Sequence, residues 1–504
     1  MSDTNASQNS RPWWKELNGY HWFVFVVAAL GWLFDCFDQQ IFVLFRTPAL
    51  TSLLPEGTNV GEYAGYATAI FLLGWATGGL VFGVLGDQIG RAKTMMLTIL
   101  LYSLCTGLTA TSQGFADFAF YRFVTGLGVG GEFAVGVALV AEVMPDRARP
   151  YSLGLLQALS ALGNISAALL AVWVGGLQQQ GAISATDGWR MVFWIGAVPA
   201  LLALVVRIKL KEPEKWRQAK EAGELKGRFG SYAELFGNEN WRPPIIGAAS
   251  LIAAIVAVSF WPAQFNKLGV GFLLALGVIG CGAKAAYGGK GSPWRNNALI
   301  GLALACSGVI ALWGIVFFSF DLVGSVFAKQ FAAAGVEAEK IGGMVGKMKG
   351  KTGIMLNLGA FFGIYSFGPL SERIGRKNAF SIMFVGAFLA TGAVFLFFNA
   401  EHQIYWLIPV MGFFMLGIFG GYAIYFPELF PTHLRSTGTS FCYNVGRFIA
   451  AAGPALLGVL TGKVFHEADE PMRYAGLTMC SIFLLGLIVI RFAPETKGKP
   501  LPEA

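Results

Sequence analysis

The sequence contains two internal repeats. "GVLGDQIGR" at Gly83–Arg91 and "GPLSERIGR" at Gly368–Arg376 both read G-x-L-x-[DE]-x-x-G-R, and they start 285 residues apart. A second pattern, E-x-x-P-x-x-x-R, occurs as "EVMPDRAR" at Glu142–Arg149 and as "ELFPTHLR" at Glu428–Arg435, 286 residues apart. Two patterns in the same order at nearly one offset predict that the chain is built from two similar halves.

A third, shorter mark supports the repeat. Pro213-Glu214 in "KEPEKW" corresponds to Pro494-Glu495 in "APETKG", 281 residues later. The three marks recur in the same order at nearly one offset. We therefore expect both halves to have one architecture.

The composition indicates a membrane protein. The chain has 504 residues, of which 55% are hydrophobic and 13% charged, whereas a soluble domain carries about 25% charge. A membrane-spanning helix needs about 20 apolar residues. We identify fourteen candidate spans, at 20–45, 63–85, 94–112, 117–143, 151–176, 189–207, 245–262, 268–286, 298–327, 353–371, 379–398, 404–427, 437–461 and 474–492.

The predicted fold is an all-α polytopic membrane protein with two six-helix bundles and two additional central spans. The central pair, 245–262 and 268–286, could instead form one re-entrant hairpin, and we expect it to lie at the edge of the bundle. Two added spans leave the second half in the orientation of the first. The predicted units are a tail at 1–19, a bundle at 20–208, a loop at 209–243, an insert at 244–296, a second bundle at 297–492 and a tail at 493–504.

The distribution of basic residues predicts the orientation. With the N-terminus inside, inner segments hold 25 Lys and Arg and outer segments hold ten, and cytoplasmic loops are enriched in these residues. We expect a multi-pass protein of the plasma (inner) membrane with both termini cytoplasmic. The same distribution explains the net charge of +8 without nucleic acid. The outer segment Lys329–Lys351, with five lysines, does not follow the rule.

No pattern in the sequence indicates an enzyme, a cofactor or a metal site. The six cysteines form no C-x-x-C pair, the four histidines are scattered, and neither H-E-x-x-H nor G-x-S-x-G occurs. "GLGVGG" at Gly126–Gly131 satisfies G-x-G-x-x-G but lies inside an apolar span, where glycines favour close helix packing. The loop Lys209–Arg242 reads as a solvated interfacial helix and connector.

Charged residues lie inside the predicted spans. "GWLFDCFDQQ" at Gly31–Gln40 places Asp35 and Asp38 on one helical face, because residues three apart are neighbours. Each carboxylate costs about 2.5–3.5 kcal/mol at the bilayer centre, so both should face the bundle interior. Arg122 and Glu132 bound the run "RFVTGLGVGGE" in the fourth span. Either these groups bind and release protons, or they form a static buried ion pair.

The repeated patterns resemble those of the major facilitator superfamily over nearly the whole chain. The resemblance implies two bundles around a central substrate site, with access alternating between the two sides. It also implies that the charged motifs pair across the cytoplasmic face and hold the outward-open state. Gln88 departs from the family pattern, where a basic residue is usual. The implied gating residues are Gly83, Asp87, Gly90, Arg91, Glu142, Arg149, Glu372, Arg373, Gly375, Arg376, Glu428 and Arg435.

Other runs resemble particular branches of this superfamily. The paired aspartates and "GRFIAAAGP" are similar to the aromatic acid:proton symporters. The fourteen-span plan, "RPWWKELNGYHW" and "CYNVG" are similar to the sialate:proton symporters. The "RFVTGLGVGG" run and the ending "PETKG" also occur in sugar porters.

The resemblance implies proton-coupled uptake of a small organic anion. Asp38 is the first candidate for proton coupling, with Asp35 assisting, Arg122 pairing with them and Glu132 nearby. Arg447 is expected to bind the substrate carboxylate, since a guanidinium binds carboxylate through two parallel hydrogen bonds. Candidates for the cavity wall, each of which could equally be a helix–helix hydrogen bond, are Asn444, Gln157, Asn164, Asn357 and Tyr425.

Two other functions stay open from the sequence. One is a sugar or polyol porter of the same fold, which a cavity rich in Gln, Asn and aromatic residues without a free Arg would favour. The other is a non-transporting membrane sensor that binds a partner through its long inner loop. The expected partners are the small organic anion, protons and the lipid bilayer, with the protein a monomer.

Overall fold

The chain is an all-helical membrane protein. The computed structural model describes residues 12–58, 60–179, 182–183, 187–199, 210–221, 230–237, 291–450, 460, 464–465 and 467–503. In these ranges ten helices are long and apolar enough to cross a membrane, and no strand occurs. The predicted spans 189–207 and 437–461 are described in part. The pair 245–262 and 268–286, with its hairpin alternative, lies outside the described residues.

The helices follow the predicted order. In the first half they are α1 Gly19–Leu53, α2 Val60–Ile89, α3 Arg91–Thr109, α4 Phe115–Val143, α5 Arg149–Gln179 and α6 Gly188–Ile195. The following loop contains α7 Glu214–Glu221 and α8 Tyr232–Phe236. In the second half they are α9 Pro293–Ala311, α10 Phe317–Ala333, α11 Ala338–Ile374, α12 Arg376–Phe397, α13 Leu407–Glu428, α14 Arg435–Ala450, α15 Pro471–Cys480 and α16 Ile482–Phe492. A π-helical turn, Leu312–Val316, joins α9 to α10.

Glycine contacts repeat between the two halves. Gly74 and Gly78 of α2 lie so close to the backbone of α4 that an added Cβ would overlap the carbonyl oxygens of Phe123 and Leu127. In the second half Gly359 and Gly363 of α11 meet the carbonyls of Pro409 and Phe413 in the same way. The glycines are 285 residues apart and the carbonyls 286, so the sequence repeat is a structural repeat.

The repeated G-R pair is a tight connection between two helices. Gly90 separates α2 from α3 with φ 116°, and Gly375 separates α11 from α12 with φ 91°. Residues with a side chain rarely adopt such angles. A Cβ at either position would also meet a glutamate, Glu212 or Glu495 respectively. Both positions therefore require glycine for two separate reasons.

These two glutamates cap the helices that follow the glycines. Glu212 accepts hydrogen bonds from the backbone N–H groups of Ala92 and Lys93, at 3.2 and 3.1 Å. Glu495 accepts from Arg376 and Lys377, at 3.0 and 3.2 Å. The counterpart of Glu495 is thus Glu212, so the sequence alignment of Glu495 with Glu214 was wrong by two residues.

Glu495 lies outside the membrane, after the last span. Burial acts to raise the pKa of Glu495, but the backbone N–H groups that donate to it hold the pKa below its ordinary value. A carboxylate at the N-terminus of a helix is also favoured by the helix dipole. The cap on α12 is therefore present at neutral pH and is lost as the pH falls through the pKa of Glu495.

The end of the bundle that carries these connections is called here the motif face. At this face the two halves meet along two edges, α2 against α14 and α5 against α11. On the first edge Gly83 and Gly86 of α2 face Ser440 and Ser436 of α14. On the second edge Gly368 of α11 faces the backbone of Pro150 and Tyr151 on α5. Small residues on both edges bring the backbones of the two halves close together.

The loop after the first bundle covers the motif face. The buried Trp216 of α7 donates its indole N–H to the carbonyl of Asp87 at 2.8 Å. The Tyr232 hydroxyl donates to the carbonyl of Leu80 at 3.2 Å, and the N–H of Gly230 donates to the carbonyl of His433 at 3.0 Å. The sequence predicted a solvated connector here, but its described parts bind both halves.

We expect Gly90→Ala to lower the apparent melting temperature of the purified protein, because alanine adds backbone strain and a clash with Glu212. The strain alone is worth on the order of 1–3 kcal/mol. Gly57→Ala is the matched control, since Gly57 has φ 85° but nothing within 4 Å of an added Cβ. A melting temperature lowered equally in both variants would contradict the role given to Glu212.

Candidate functional site

Asp87 binds the first turn of α14 from the other half of the molecule. Its carboxylate accepts the backbone N–H of Ser436 at 3.2 Å and that of Thr437 at 2.8 Å. The Thr437 hydroxyl donates to it at 2.7 Å, and Arg91 lies 2.9 Å away. Because the N-terminus of a helix carries unsatisfied N–H groups and a partial positive charge, a buried carboxylate is stable there.

Glu142 joins two arginines from opposite halves. Arg91 donates two hydrogen bonds to it, from Nε at 3.1 Å and from Nη2 at 2.9 Å. Arg435 donates from Nη1 at 2.8 Å. Both guanidiniums are fully buried. Glu142 of the first copy therefore pairs with Arg435 of the second copy across the motif face.

The other charges of the second copy pair within their own half. Arg376 lies 2.9 Å from Glu428 and 2.7 Å from Glu372, and none of these described contacts crosses to the first bundle. Arg149 donates to the carbonyl of Ala141 at 2.8 Å and pairs with Asp146. In the described contacts Arg373 takes part through its backbone carbonyl, which accepts a hydrogen bond from the Lys497 ammonium. The charges that bond across this face are thus Asp87, Arg91, Glu142 and Arg435. The expected pairing across it is not seen for Glu372, Arg376 and Glu428 in the described contacts.

The repeat offset explains this asymmetry. Ser436 and Thr437 supply the N–H groups and the hydroxyl that bind Asp87. With the offset of 286 residues, Pro150 and Tyr151 occupy their places in the first half. Proline has no N–H and tyrosine carries no hydroxyl near its backbone, so α5 offers Glu372 no comparable cap.

A second group of charges lies in the middle of the bundle. Asp38 of α1 and Arg122 of α4 are fully buried, with Oδ2 and Nη1 3.6 Å apart. Asp38 also accepts a hydrogen bond from the Thr106 hydroxyl. The Arg122 guanidinium donates to the Thr109 hydroxyl, at 3.1 Å from Nε and 2.7 Å from Nη2. The structure thus brings Arg122 to Asp38, while no described ion pair joins it to Asp35.

Asp35 and Glu132 lie within electrostatic range of each other, and neither has an ion pair among the described residues. The Thr98 hydroxyl donates to Glu132 at 2.7 Å. The other oxygen of Glu132 lies against Gly31, one helical turn before Asp35. Both carboxyls are about 1% exposed, and Oδ1 of Asp35 and Oε1 of Glu132 have no hydrogen-bond partner. These two buried groups therefore have unused capacity to bind a proton.

Arg447 is held between two aromatic rings. Its guanidinium carbon lies 4.2 Å from the ring centre of Trp75 on α2 and 4.4 Å from that of Tyr443 on α14. Nη1 donates to the Asn444 side chain at 2.6 Å and to the Tyr443 carbonyl at 3.3 Å. Nε is buried and has no partner in the described residues. The rings fix the plane of the guanidinium and leave this N–H available to an anion.

The predicted wall residues separate into three groups. Asn444 supports Arg447 and also donates to Ser440. Gln157 lies beside the Tyr443 hydroxyl, and its carbonyl oxygen is buried without a partner. Asn164 of α5 donates to Asn357 of α11 at 3.2 Å. This last pair is a helix–helix hydrogen bond between the two halves, which was the alternative given for it.

Tyr425 does not lie at the centre. Its hydroxyl donates to the carbonyl of Pro494 at 2.6 Å, beside Glu428 and Glu495 at the motif face. It lies near the end of α13, three residues before Glu428. Its assignment to the cavity wall was therefore wrong, because the polar group of a tyrosine on an apolar span can equally reach the helix end.

Sequence reasoning missed the polar face of α3. Thr98, Tyr102, Thr106 and Thr109 follow one another at intervals of four, four and three residues, so they lie on one side of the helix. Three of them bond the central charges described above. The spacing was a usable signal, since a stripe of hydroxyls inside an apolar span has to face the protein interior.

The fold and the site define a membrane transporter built from two pseudo-symmetric halves, with buried charges at their meeting point. The sequence profile of the Major Facilitator Superfamily matches residues 23–342 and 351–504, and the chain belongs to this family.

Known proteins are similar over most of the chain. A probable 4-methylmuconolactone transporter of Cupriavidus pinatubonensis is 28% identical, covering 93% of this chain and 89% of its own length. A sialic acid transporter of Escherichia coli is 25% identical over 89% and 90%. A solved structure of a proton:xylose symporter superposes with TM-score 0.64 at 17% identity, over 96% and 98% of the two chains, which supports the fold.

Asp87→Asn should open the motif face, because it removes the charge that caps α14 and pairs with Arg91. We would measure labelling of a single cysteine placed at Ser440, which is buried between α2 and α14, and expect faster labelling. Glu372→Gln is the matched control, since its repeat position makes no described bond across the halves. Labelling that is unchanged by Asp87→Asn, or raised equally by both substitutions, would refute the assignment.

Proposed function

We propose that the protein takes up a small organic anion together with protons, by alternating access through the centre of the bundle. The observation that carries the proposal is Arg447, a buried cation with an unpaired N–H, close to the carboxyls that can hold protons. The names of the similar transporters, for a muconolactone and a sialic acid, support an anionic substrate. Two buried arginines at the centre argue against a sugar or polyol porter.

We further propose that both termini are cytoplasmic and that the protein works as a monomer in the plasma membrane. The excess of Lys and Arg on the motif-face side supports this orientation. The motif face is then the cytoplasmic gate, and the structure is closed toward the cytoplasm. Within this proposal Asp38 and Arg122 are the pair that opens when a proton binds, and Asp35 and Glu132 assist.

Thermal stabilisation against a panel of compounds would identify the substrate class. Purified protein would be heated with benzoate, 4-methylmuconolactone, N-acetylneuraminate and xylose. A ligand at 100 times its Kd stabilises by about 2.7 kcal/mol, so we expect a higher melting temperature with at least one carboxylate. Stabilisation by xylose alone would favour the sugar porter, and binding without uptake into proteoliposomes would favour a sensor.

Arg447→Ala should abolish binding of the carboxylate that stabilises the unmodified protein, whereas Arg447→Lys should leave weak binding. Removing a bidentate partner from a buried carboxylate costs on the order of 2–5 kcal/mol. The measurement is the Kd for the acid and for its neutral amide, such as benzoate and benzamide. Equal affinity of the unmodified protein for acid and amide would exclude this role.

Asp38→Asn should abolish accumulation of substrate driven by an inward proton gradient, because the amide cannot bind the coupling proton. Exchange of labelled for unlabelled substrate at equal pH should persist, since it needs no net proton movement. Both are measured in proteoliposomes. Asp35→Asn is the comparison and should impair accumulation less. If the Asp38→Asn protein still accumulated substrate against its gradient, the Asp38–Arg122 pair would be structural.

A further inference from the structure

The buried charges at the centre are unevenly paired. Asp38 has the Arg122 guanidinium 3.6 Å away. Glu132 has only the neutral Thr98 hydroxyl, and Asp35 has no described hydrogen bond at Oδ1. A buried carboxylate without a cation is unstable and normally takes up a proton. Asp38 therefore has a cation partner, whereas Asp35 and Glu132 have none in the described residues.

The positions of α1 and α3 place a third group between these carboxyls. Gly31 of α1 lies against Glu132, which the Thr98 hydroxyl bonds. Seven residues further along α1, Asp38 accepts a hydrogen bond from Thr106, eight residues after Thr98. The two helices thus run in parallel and in register over two turns. Halfway between these contacts Asp35 on α1 is level with Tyr102 on α3.

Tyr102 is the third group near these carboxyls. Its side chain is fully buried, and its hydroxyl has no hydrogen-bond partner in the described residues. A buried hydroxyl without a partner costs about 1–3 kcal/mol. It lies within electrostatic range of three carboxyls, those of Glu132, Asp35 and Asp38. The hydroxyl can donate a hydrogen bond to an ionised carboxylate or accept one from a protonated carboxyl. It can therefore stabilise these carboxyls both with and without a proton.

The balance of charge fixes how many protons this group holds. Asp38 and Arg122 cancel each other. Arg447 remains as one positive charge, in electrostatic contact with Asp35. One negative charge on Asp35 and Glu132 together balances it, whereas two would leave a net negative charge in a medium of low dielectric. Charge balance therefore favours one proton on the two carboxyls together.

We propose that Asp35, Glu132 and Tyr102 form a second proton-binding site, separate from the Asp38–Arg122 pair. This deepens the proposed proton-coupled uptake, on which its part in transport rests. An anion that binds Arg447 neutralises its positive charge. That charge then no longer balances the negative charge on Asp35 and Glu132. A second proton then enters the site, so anion and proton bind together.

Other titratable or charged groups lie around this site in the part of the chain that the structure describes. From α1 they are Asp38 and Cys36, from α3 Cys105 and from α4 Arg122. From α14 they are Tyr443 and Arg447. Of the carboxyls in this region, Asp38 has an ion pair, whereas Asp35 and Glu132 have none among the described residues.

Infrared difference spectroscopy of the reconstituted protein tests the site with the proton itself as the probe. A protonated carboxyl absorbs in a carbonyl region where a carboxylate does not. We expect a buried carboxyl band at neutral pH in the unmodified protein. Both Glu132→Gln and Asp35→Asn should abolish it, since each leaves one carboxylate to balance Arg447. Tyr102→Phe should shift the band, because it removes the hydroxyl.

A control variant and a readout without substrate distinguish a failure of this site from a failure of the proposed transport. The exposed Glu16→Gln should leave the band in place, and unchanged melting temperatures would show that each variant folds. A band that survives both Glu132→Gln and Asp35→Asn would overturn the site, as would its absence from the unmodified protein. No substrate is needed, so a failure to find an organic anion that is taken up would leave this result standing.

Discussion

The closed motif face depends on one carboxylate. Glu142 accepts hydrogen bonds from Arg91 of its own half and from Arg435 of the other half, and all three side chains are buried. Without Glu142, the buried Arg435 guanidinium would lose its described ion pair, and Arg91 would keep only Asp87. Breaking a buried pair in this way costs about 3–5 kcal/mol. Glu142 and Asp87 thus turn the ends of α4 and α2 into a binding surface for α14.

The motif face and the surroundings of Arg447 share two helices, α2 and α14. On α14, Arg435 at the motif face and Arg447 at the centre are twelve residues apart, and on α2 the same interval separates Asp87 from Trp75. Twelve residues of helix span about 18 Å. The contact of Arg447 with the Trp75 ring therefore joins, deeper in the bundle, the same two helices that Asp87 joins at the motif face.

The sequence predicted the features that repeat or that cost free energy in a membrane. Two copies of a glycine–arginine connection predicted the two halves, and the buried Asp38 required a partner, which Arg122 supplies. The counterpart of Glu495 was placed two residues too late, at Glu214. The two segments were aligned on their prolines, and the glutamate that caps the helix is Glu212. Tyr102 and the threonines of α3 were missed because hydroxyl groups cost little on a hydropathy scale. The place of Tyr425 depended on the length of α13, which no local pattern records.

Pro150 and Tyr151 stand where the other half has Ser436 and Thr437, and these two exchanges make the two edges of the motif face unequal. The α2–α14 edge carries a buried carboxylate cap and a shared glutamate, whereas the α5–α11 edge carries glycine packing and the amide bond of Asn164 with Asn357. The two halves are therefore held together by buried charges along one edge and by close packing and a neutral amide bond along the other.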